Sequence, residues 1–203
     1  MELLDLYDNN GKLLNKTIVR GNKNFEENEN IKLATIWIKS NNKYLIQKTS
    51  KEKGGEYAVS GGHVQAGLTS KQQACLELEE ELALKISEND LQFLGNIYGP
   101  HRIFDVYAVE NNNFDKLNFT LQEEEVESVV WLTANEIDHL IAKGAVRKST
   151  VEQFNKFIKS NVQTPCGTEK RLNQLWFSLF LQYHYCFKPA SVSIFSSNFF
   201  KDA

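Results

Sequence analysis

The chain has 203 residues, 41% of them hydrophobic, and a formal net charge of −3 from 23 basic and 26 acidic side chains. This length favours one domain with an appendage, and the apolar content suffices for a core. No basic stripe stands out, so a nucleic-acid partner is not expected. Three cysteines without a pairing motif exclude a disulfide scaffold and fit a reducing compartment. No signal peptide or membrane-spanning apolar run is evident, which predicts a cytoplasmic location.

The first part of the chain is predicted to be mostly strands. Asn10-Gly11 is a hairpin turn signal between two apolar runs, and Asn41-Asn42 separates a second pair. Polar residues 22–30 predict a linker between the two pairs. A charged loop, Lys48–Glu56, follows the second pair. The four predicted strands are Leu3–Tyr7, Leu13–Val19, Ile31–Ile38 and Tyr44–Gln47.

A glycine-rich segment, residues 61–69, leads directly into a predicted helix that runs to Leu84. Thr69 with Gln72 three residues later is a capping-box pattern, which predicts that the helix begins there. The glycines of the segment permit backbone conformations that side chains forbid and allow close approach to a ligand. A loop of this kind joined to a carboxylate-bearing helix indicates a ligand site.

The remainder predicts more strands and two further helices. The helices are capped by Thr133 with Glu136 and by Ser149 with Glu152. The element order is not a regular βαβ repeat, so the expected fold class is α/β in the wider α+β sense, a mixed β-sheet sandwiched between helices. The predicted strands are Leu91–Tyr98, Ile103–Val109 and Val126–Leu132. The expected organisation is a hairpin and linker over residues 1–30, a main domain over 31–160 and an unassigned C-terminal extension over 161–203.

Three glutamates of the predicted helix are expected to share one narrow face. At about 100° per residue, Glu80 and Glu81 fall about 60° and 40° to either side of Glu77. Ionised carboxylates this close repel each other, whereas a hard divalent cation such as Mg2+ bound among them would make the net interaction attractive. The other reading is a solvated acidic face, and the glycine-rich loop beside it favours the metal site.

Together these residues resemble the signature of the Nudix hydrolase family. The frame begins at Gly62 and reaches Glu77-Leu78-Glu79-Glu80-Glu81 at the family's spacing over about 23 residues. The resemblance implies a Nudix-like fold, and metal-dependent cleavage of a diphosphate linkage in a nucleotide or related small molecule. It also implies that Glu77, Glu80, Glu81 and the Gly62 carbonyl hold Mg2+ or Mn2+. Glu77 or Glu80 would serve as the base, or Glu125 from the later acidic loop.

Several residues near the signature are candidates for substrate binding. Lys48 and Lys53, on the preceding loop, would meet phosphates, although such a loop is also ordinary solvated surface. Arg102 is a further candidate. His63 resembles a metal-binding histidine of the isopentenyl-diphosphate isomerase branch, which this chain is most similar to, although a lone loop histidine is often structural. Aromatic residues near the C-terminus would suit a homodimer.

Three departures from the signature favour an alternative function. Leu68 stands where the family has its first glutamate, Leu76 replaces an arginine and Ala83 replaces a glycine. A Nudix-fold ligand-binding or regulatory module with weakened catalysis is therefore the second hypothesis. Isomerase activity is disfavoured, because Gly61 occupies the place of the isomerase's catalytic cysteine and Cys75 lies beside the apolar stripe of the helix.

Overall fold

The computed structural model describes residues 2–159, which form two β-sheets and three α-helices. The expected C-terminal extension lies outside the described residues. The strands are β1 (Leu3–Tyr7), β2 (Leu13–Val19), β3 (Ile31–Ser40), β4 (Lys43–Thr49), β5 (Tyr57–Ala58), β6 (Ser60–His63), β7 (Gln92–Gly99), β8 (Arg102–Glu110) and β9 (Val126–Thr133). The helices are α1 (Ser70–Leu82), α2 (Ala134–Ala142) and α3 (Lys148–Gln153), and a π-helical turn, Phe154–Ile158, continues α3.

The N-terminal segment forms the predicted hairpin. Strands β1 and β2 pair antiparallel, and Gly11 adopts the left-handed conformation that the turn requires. The hairpin joins the rest of the chain through single bridges, Leu4 with Gln65 and Tyr7 with Asn30. Asn30 is buried at the end of the segment that we expected to be a linker. The hairpin thus contacts the loop that precedes α1 through β1.

The main sheet is mixed, as predicted. Its central pair, β3 and β8, runs parallel, and its other neighbours are antiparallel. Strands β3 and β4 pair only at their turn, through Lys39 with Tyr44 and Ser40 with Lys43. Beyond that point β3 pairs with β6, and β4 pairs with β9 and β5. The two strands separate there, and the consecutive strands β5 and β6, which lead into the glycine-rich segment, pair with β4 and β3 respectively.

Helices cover both faces of the sheet. On one face α1 packs through Ala74, Leu78 and Leu82 onto alternate residues of β3. On the other face α2 and the π-helical turn pack around Trp37. The alternation of side chains along β3 separates the two cores. No helix within residues 2–159 is long and apolar enough to cross a membrane.

Two of the three predicted helix starts are confirmed. Thr69 with Gln72 and Thr133 with Glu136 both form complete capping boxes. The third is wrong, because α3 begins at Lys148 and Ser149 lies inside it. Its preceding residue, Arg147, makes no side-chain cap and is directed instead to the loop before β5, where it donates to the Lys53 carbonyl at 2.9 Å.

Candidate active site

Helix α1 presents its signature glutamates in two directions. Glu81 is only 7% exposed and lies one turn beyond Glu77, which is half-buried, whereas Glu80 is exposed. Glu77 and Glu81 belong to an i, i+4 row that begins at Gln73 and faces inward. The expected common face of three glutamates is therefore divided, with two carboxylates turned toward the sheet and one toward solvent.

Glu77 lies directly over the glycine-rich segment. A Cβ added at Gly62 would collide with its carboxylate, so a side chain at this position would have to displace Glu77. Gln73 donates a hydrogen bond to Glu77 Oε1 at 2.8 Å. Burial raises the pKa of Glu77 to about 7; the Gln73 hydrogen bond opposes this rise and the charge of Glu80 adds to it.

Glu81 is the more deeply buried carboxylate. Gln47 on β4 donates a hydrogen bond to Glu81 Oε2 at 2.8 Å and also bonds the Ser60 hydroxyl. Burial raises the pKa of Glu81 to about 8; the Gln47 hydrogen bond works against this, and the neighbouring charge of Glu77 reinforces it. Both inward-facing carboxylates thus resist ionisation near neutral pH.

The donor set suits a hard divalent cation. Within residues 2–159, no three His, Cys, Asp or Glu side chains lie close enough together to enclose a metal ion. Two buried carboxylates whose ionisation is opposed by desolvation and mutual repulsion are nonetheless what Mg2+ or Mn2+ would relieve, since both ions prefer oxygen ligands. Because Gly62 has no side chain, the Glu77 carboxylate can lie close to the backbone of that loop. These residues fit the expected metal.

The acidic loop before β9 reaches the same region. Its Gln122 N–H donates to the Glu81 carbonyl at 3.1 Å, and Ser50 N–H donates to the Glu125 carbonyl at 2.9 Å. Lys53 forms a salt bridge with the Glu125 carboxylate. The charge of Glu125 contributes to the raised pKa values of both Glu77 and Glu81, which places it within electrostatic reach of them.

Three of the four residues predicted to bind substrate line one cleft of about 390 Å³. They are Lys53, His63 and Arg102, and Gly61 lies among them. Lys48 does not line the cleft and instead forms a salt bridge with Glu127 at 3.6 Å. Lys48 belongs to β4, where it pairs with Tyr57 of β5 and Ser128 of β9, and not to the loop that carries Lys53 into the cleft. Burial lowers the pKa of His63, and the charge of Arg20 lowers it further.

Several residues of this region were not predicted from the sequence. Arg20, at the end of the N-terminal hairpin, ion-pairs with Glu2 at 2.6 Å, and its charge lowers the pKa of Glu77. Arg147, Thr35 and Gln153 line the cleft. One of them carried a signal, since Thr35 interrupts the apolar run of β3. The others come from distant segments that only the tertiary structure brings near.

The residue before Gly62 has no room for a side chain. A Cβ at Gly61, whose φ is +151°, would collide with the Ala34 carbonyl and lie 2.9 Å from the Thr35 Cα. A cysteine at this position would therefore displace β3. Cys75 packs against the apolar core of α1, and burial raises the pKa of its thiol. Neither position supports the chemistry of an isomerase cysteine.

The three departures from the signature have different structural contexts. Leu68 packs against the core beneath α1, whereas Leu76 is exposed. Ala83 ends the helix in the left-handed conformation, with φ 52° and ψ 29°. That conformation is one that glycine adopts without strain, which explains the glycine of the signature. The replacements leave the inward-facing Glu77 and Glu81 in place.

Comparisons with known proteins agree with this arrangement. Residues 32–154 match the family model of the NUDIX domain. An uncharacterized Nudix hydrolase from Listeria monocytogenes is 30% identical over 151 residues, which cover 71% of this chain and 87% of that protein. Nudix hydrolase 3 from Arabidopsis thaliana is 31% identical over 128 residues, covering 53% of this chain and 16% of that longer protein.

A solved structure shares the fold. DR0079 from Deinococcus radiodurans aligns with a TM-score of 0.66 at 20% identity, covering 78% of this chain and 100% of that one. This likeness confirms the predicted mixed sheet with helices on both faces. The similarity to the isopentenyl-diphosphate isomerase branch stays a prediction.

Proposed function

Because this chain belongs to the Nudix hydrolase family and is a hydrolase of pyrophosphate bonds, we propose that it uses Mg2+ or Mn2+ to cleave the diphosphate linkage of a small nucleoside diphosphate derivative. The observation that carries this proposal is the inward-facing carboxylate pair, Glu77 and Glu81. Glu77 overlies Gly62, and the adjacent Gly61 lines a cleft that also contains cationic residues. Carboxylates alone would repel a diphosphate, so a cation is needed between the two.

The metal would be held by Glu77, Glu81 and the Gly62 carbonyl, and the solvent-facing Glu80, whose charge acts on Glu77, would complete the ligand set. When bound, the cation would polarise phosphoryl oxygens and lower the pKa of a water molecule. Gln73 and Gln47 hold the Glu77 and Glu81 carboxylates by hydrogen bonds, which fixes their orientation. Such fixed carboxylates need little rearrangement when they become ligands.

Glu125 is our candidate for the general base. It belongs to a loop that hydrogen-bonds to Glu81 of α1 and to Ser50, the residue after β4, so the backbone of this loop is anchored at both places. The Lys53 ammonium holds its carboxylate by a salt bridge. A base in this position would accept a proton from the attacking water. Glu77 and Glu80 remain the other candidates for this role.

The cationic residues of the cleft would bind the substrate phosphates. Arg102 makes no side-chain hydrogen bond or salt bridge within the part of the chain that the structure describes, so its guanidinium is available to a phosphate. Lys53 would exchange part of its interaction with Glu125 for a phosphate oxygen. His63 supplies an uncharged imidazole beside them, because burial and nearby cations disfavour its protonation.

Replacement of Glu80 tests the proposal. Nucleoside diphosphates and nucleotide sugars would be screened with Mg2+, Mn2+ or EDTA, and phosphate measured after a coupled phosphatase. Glu80 is exposed, so Glu80→Gln should leave the melting temperature unchanged and lower kcat/KM on the order of 100-fold. The matched control is Glu79→Gln, whose exposed carboxylate pairs with Lys85 and should be dispensable. Turnover in EDTA, or equal activity of the two variants, would overturn the proposal.

The same screen addresses the second hypothesis. Leu68 and Leu76 have apolar side chains, so neither position supplies the polar group that the signature has there. Under the hypothesis of a ligand-binding module, a nucleotide would raise the melting temperature without product formation. We further infer a cytoplasmic location from the scarcity of cysteines and keep the homodimer as a proposal, to be tested by light scattering of the full chain.

A further inference from the structure

Two buried polar atoms in the cleft have no hydrogen-bond partner. Across residues 2–159, only Thr35 Oγ1 and Gln153 Nε2 are fully buried side-chain atoms without one, and both residues line the cleft that holds Lys53 and Arg102. Thr35 is 8% exposed and Gln153 is 1% exposed. Buried polar groups are nearly always paired, so two exceptions in one cleft indicate a ligand that supplies the partners.

The hydrogen bond from Trp37 shows which amide atom of Gln153 is left without a partner, and whether that atom is a donor or an acceptor. The indole N–H of Trp37 lies 3.1 Å from Gln153 Oε1, and an indole nitrogen is only a donor. The amide oxygen must therefore face Trp37, and the NH2 group must be the part left over. Gln153 thus presents donors only and requires an acceptor on the ligand. Thr35 presents a hydroxyl, which can donate or accept.

The sheet register places Thr35 one residue pair from Gly62, the glycine that Glu77 overlies from the other face of the sheet. Thr35 pairs with Gly61, and the next pair along β3 is Ala34 with Gly62. Because strand side chains alternate, Thr35 lies on the face opposite α1, together with Leu33. A ligand whose phosphates lie at the level of Gly61 can thus extend its remaining part along this face.

The residues that line the cleft limit the chemistry of the non-phosphate part of the ligand. Leu33 and Phe104 are register partners on adjacent strands and provide an apolar surface, while Thr35 and Gln153 provide polar contacts. A volume of about 390 Å³ suits a small organic group. A hydrocarbon chain would fill the space but leave both polar atoms unpaired, which is unfavourable.

We propose that Thr35 and Gln153 determine specificity by selecting organic diphosphates whose non-phosphate part accepts hydrogen bonds, as a nucleobase does, over those with a hydrocarbon chain. This inference rests on the proposed function for the placement of the diphosphate. It adds two residues outside the signature and a chemical class of substrate. Gln153 would donate to a carbonyl oxygen or ring nitrogen, and the Thr35 hydroxyl would complete the pairing.

Two nearly isosteric variants test the roles of these atoms. Thr35→Val removes the hydroxyl, and Gln153→Met removes the free donor without adding a charge. Binding of the non-hydrolysable methylene-bridged analogues of ADP, UDP, isopentenyl diphosphate and inorganic pyrophosphate would be measured by calorimetry with excess Mg2+, which supplies the cation that the carboxylates require. The ratio of nucleotide to pyrophosphate affinity cancels any general effect on the site, such as the loss of the partner of Trp37.

We expect at least one nucleotide to bind more tightly than isopentenyl diphosphate. Each variant should lower the nucleotide-to-pyrophosphate affinity ratio about 3- to 10-fold, the effect of one hydrogen bond. Unchanged ratios, which would mean that water alone pairs these atoms, would overturn the inference. So would equal or tighter binding of isopentenyl diphosphate, or no binding of any probe. Lack of metal-dependent turnover of the hydrolysable diphosphates would count against the proposed function alone, because these affinities are measured with analogues that cannot be hydrolysed.

A stability measurement separates a binding role from a structural one. In the ligand-free protein Thr35→Val should leave the melting temperature unchanged or raise it, because it removes an unpaired buried group. The matched control is Thr49→Val, which breaks a hydrogen bond from Thr49 Oγ1 to the Glu56 carbonyl at 3.1 Å and should lower it. An equal loss in the two variants would show that Thr35 is already paired within the protein, against the inference.

Discussion

Replacing Glu81 by glutamine should stabilise the metal-free protein at alkaline pH. Glu81 is 7% exposed, and its pKa lies at about 8, against 4.5 for an ordinary glutamate. The folded state therefore holds a proton that the unfolded chain has lost between these two pH values. The free energy of unfolding falls as pH rises through this window and levels off above about 8. The glutamine side chain introduced by Glu81→Gln carries no charge and still offers an oxygen to Gln47.

The magnitude follows from the displacement of the pKa. A rise from 4.5 to about 8 corresponds to at most about 5 kcal/mol against the ionised form. Relaxation of the site and entry of water reduce this, so we expect Glu81→Gln to gain about 2–4 kcal/mol at pH 8.5 and less than about 1 kcal/mol at pH 5. Glu77, with its pKa at about 7, adds a similar but smaller dependence that both proteins share.

Urea denaturation of both proteins in EDTA, at several pH values between 5 and 8.5, measures this difference. Excess Mg2+ at pH 8.5 should then stabilise the wild type more than Glu81→Gln, since the cation compensates the buried charge. A difference in unfolding free energy that does not change with pH would refute the argument from desolvation. Equal stabilisation of both proteins by Mg2+ would refute the role of Glu81 as a ligand.

Two further predictions concern backbone positions of the signature. Gly62→Ala should lower kcat/KM on the order of 100-fold, because the added methyl group would displace the Glu77 carboxylate. The control is Gly99→Ala, which adds a methyl group in open space and should leave kcat/KM unchanged. Equal activities of the two variants would contradict this reasoning. Ala83→Gly should raise the free energy of unfolding by about 1 kcal/mol, because glycine removes left-handed strain at the end of α1. A decrease in thermal denaturation temperature would show that this strain is absent.

Local patterns in the sequence were sufficient for much of the secondary structure. The Asn10-Gly11 turn and the Thr69 and Thr133 caps involve residues within four positions of one another, so their physics is contained in a short segment. The prediction from Ser149 failed for the opposite reason. Arg147 is held by Lys53 and Glu56, far away in the chain, and the helix begins where those contacts place it.

The candidate site shows the same division. The spacing of the glutamates correctly indicated their helix, but helical periodicity gives only the angle between side chains. Which face of the helix is buried depends on how the helix packs on the sheet. In this fold Glu77 and Glu81 face inward, and Glu80 faces solvent. Lys48 was predicted because it was expected on the loop before the signature, yet it lies in β4 and forms a salt bridge with Glu127.

The sequence by itself determined the family, the order of strands and helices, and the helix that carries the carboxylates, because these depend on spacing and local propensity. Only the tertiary structure decided which carboxylates are buried and which cations share a cleft, and it alone revealed the unpaired atoms of Thr35 and Gln153. Desolvation and hydrogen-bond satisfaction depend on neighbours that are remote in the chain. Strand β3 and helix α3 are far apart in the chain and are joined by the hydrogen bond from Trp37 to Gln153, beside which we propose that specificity arises.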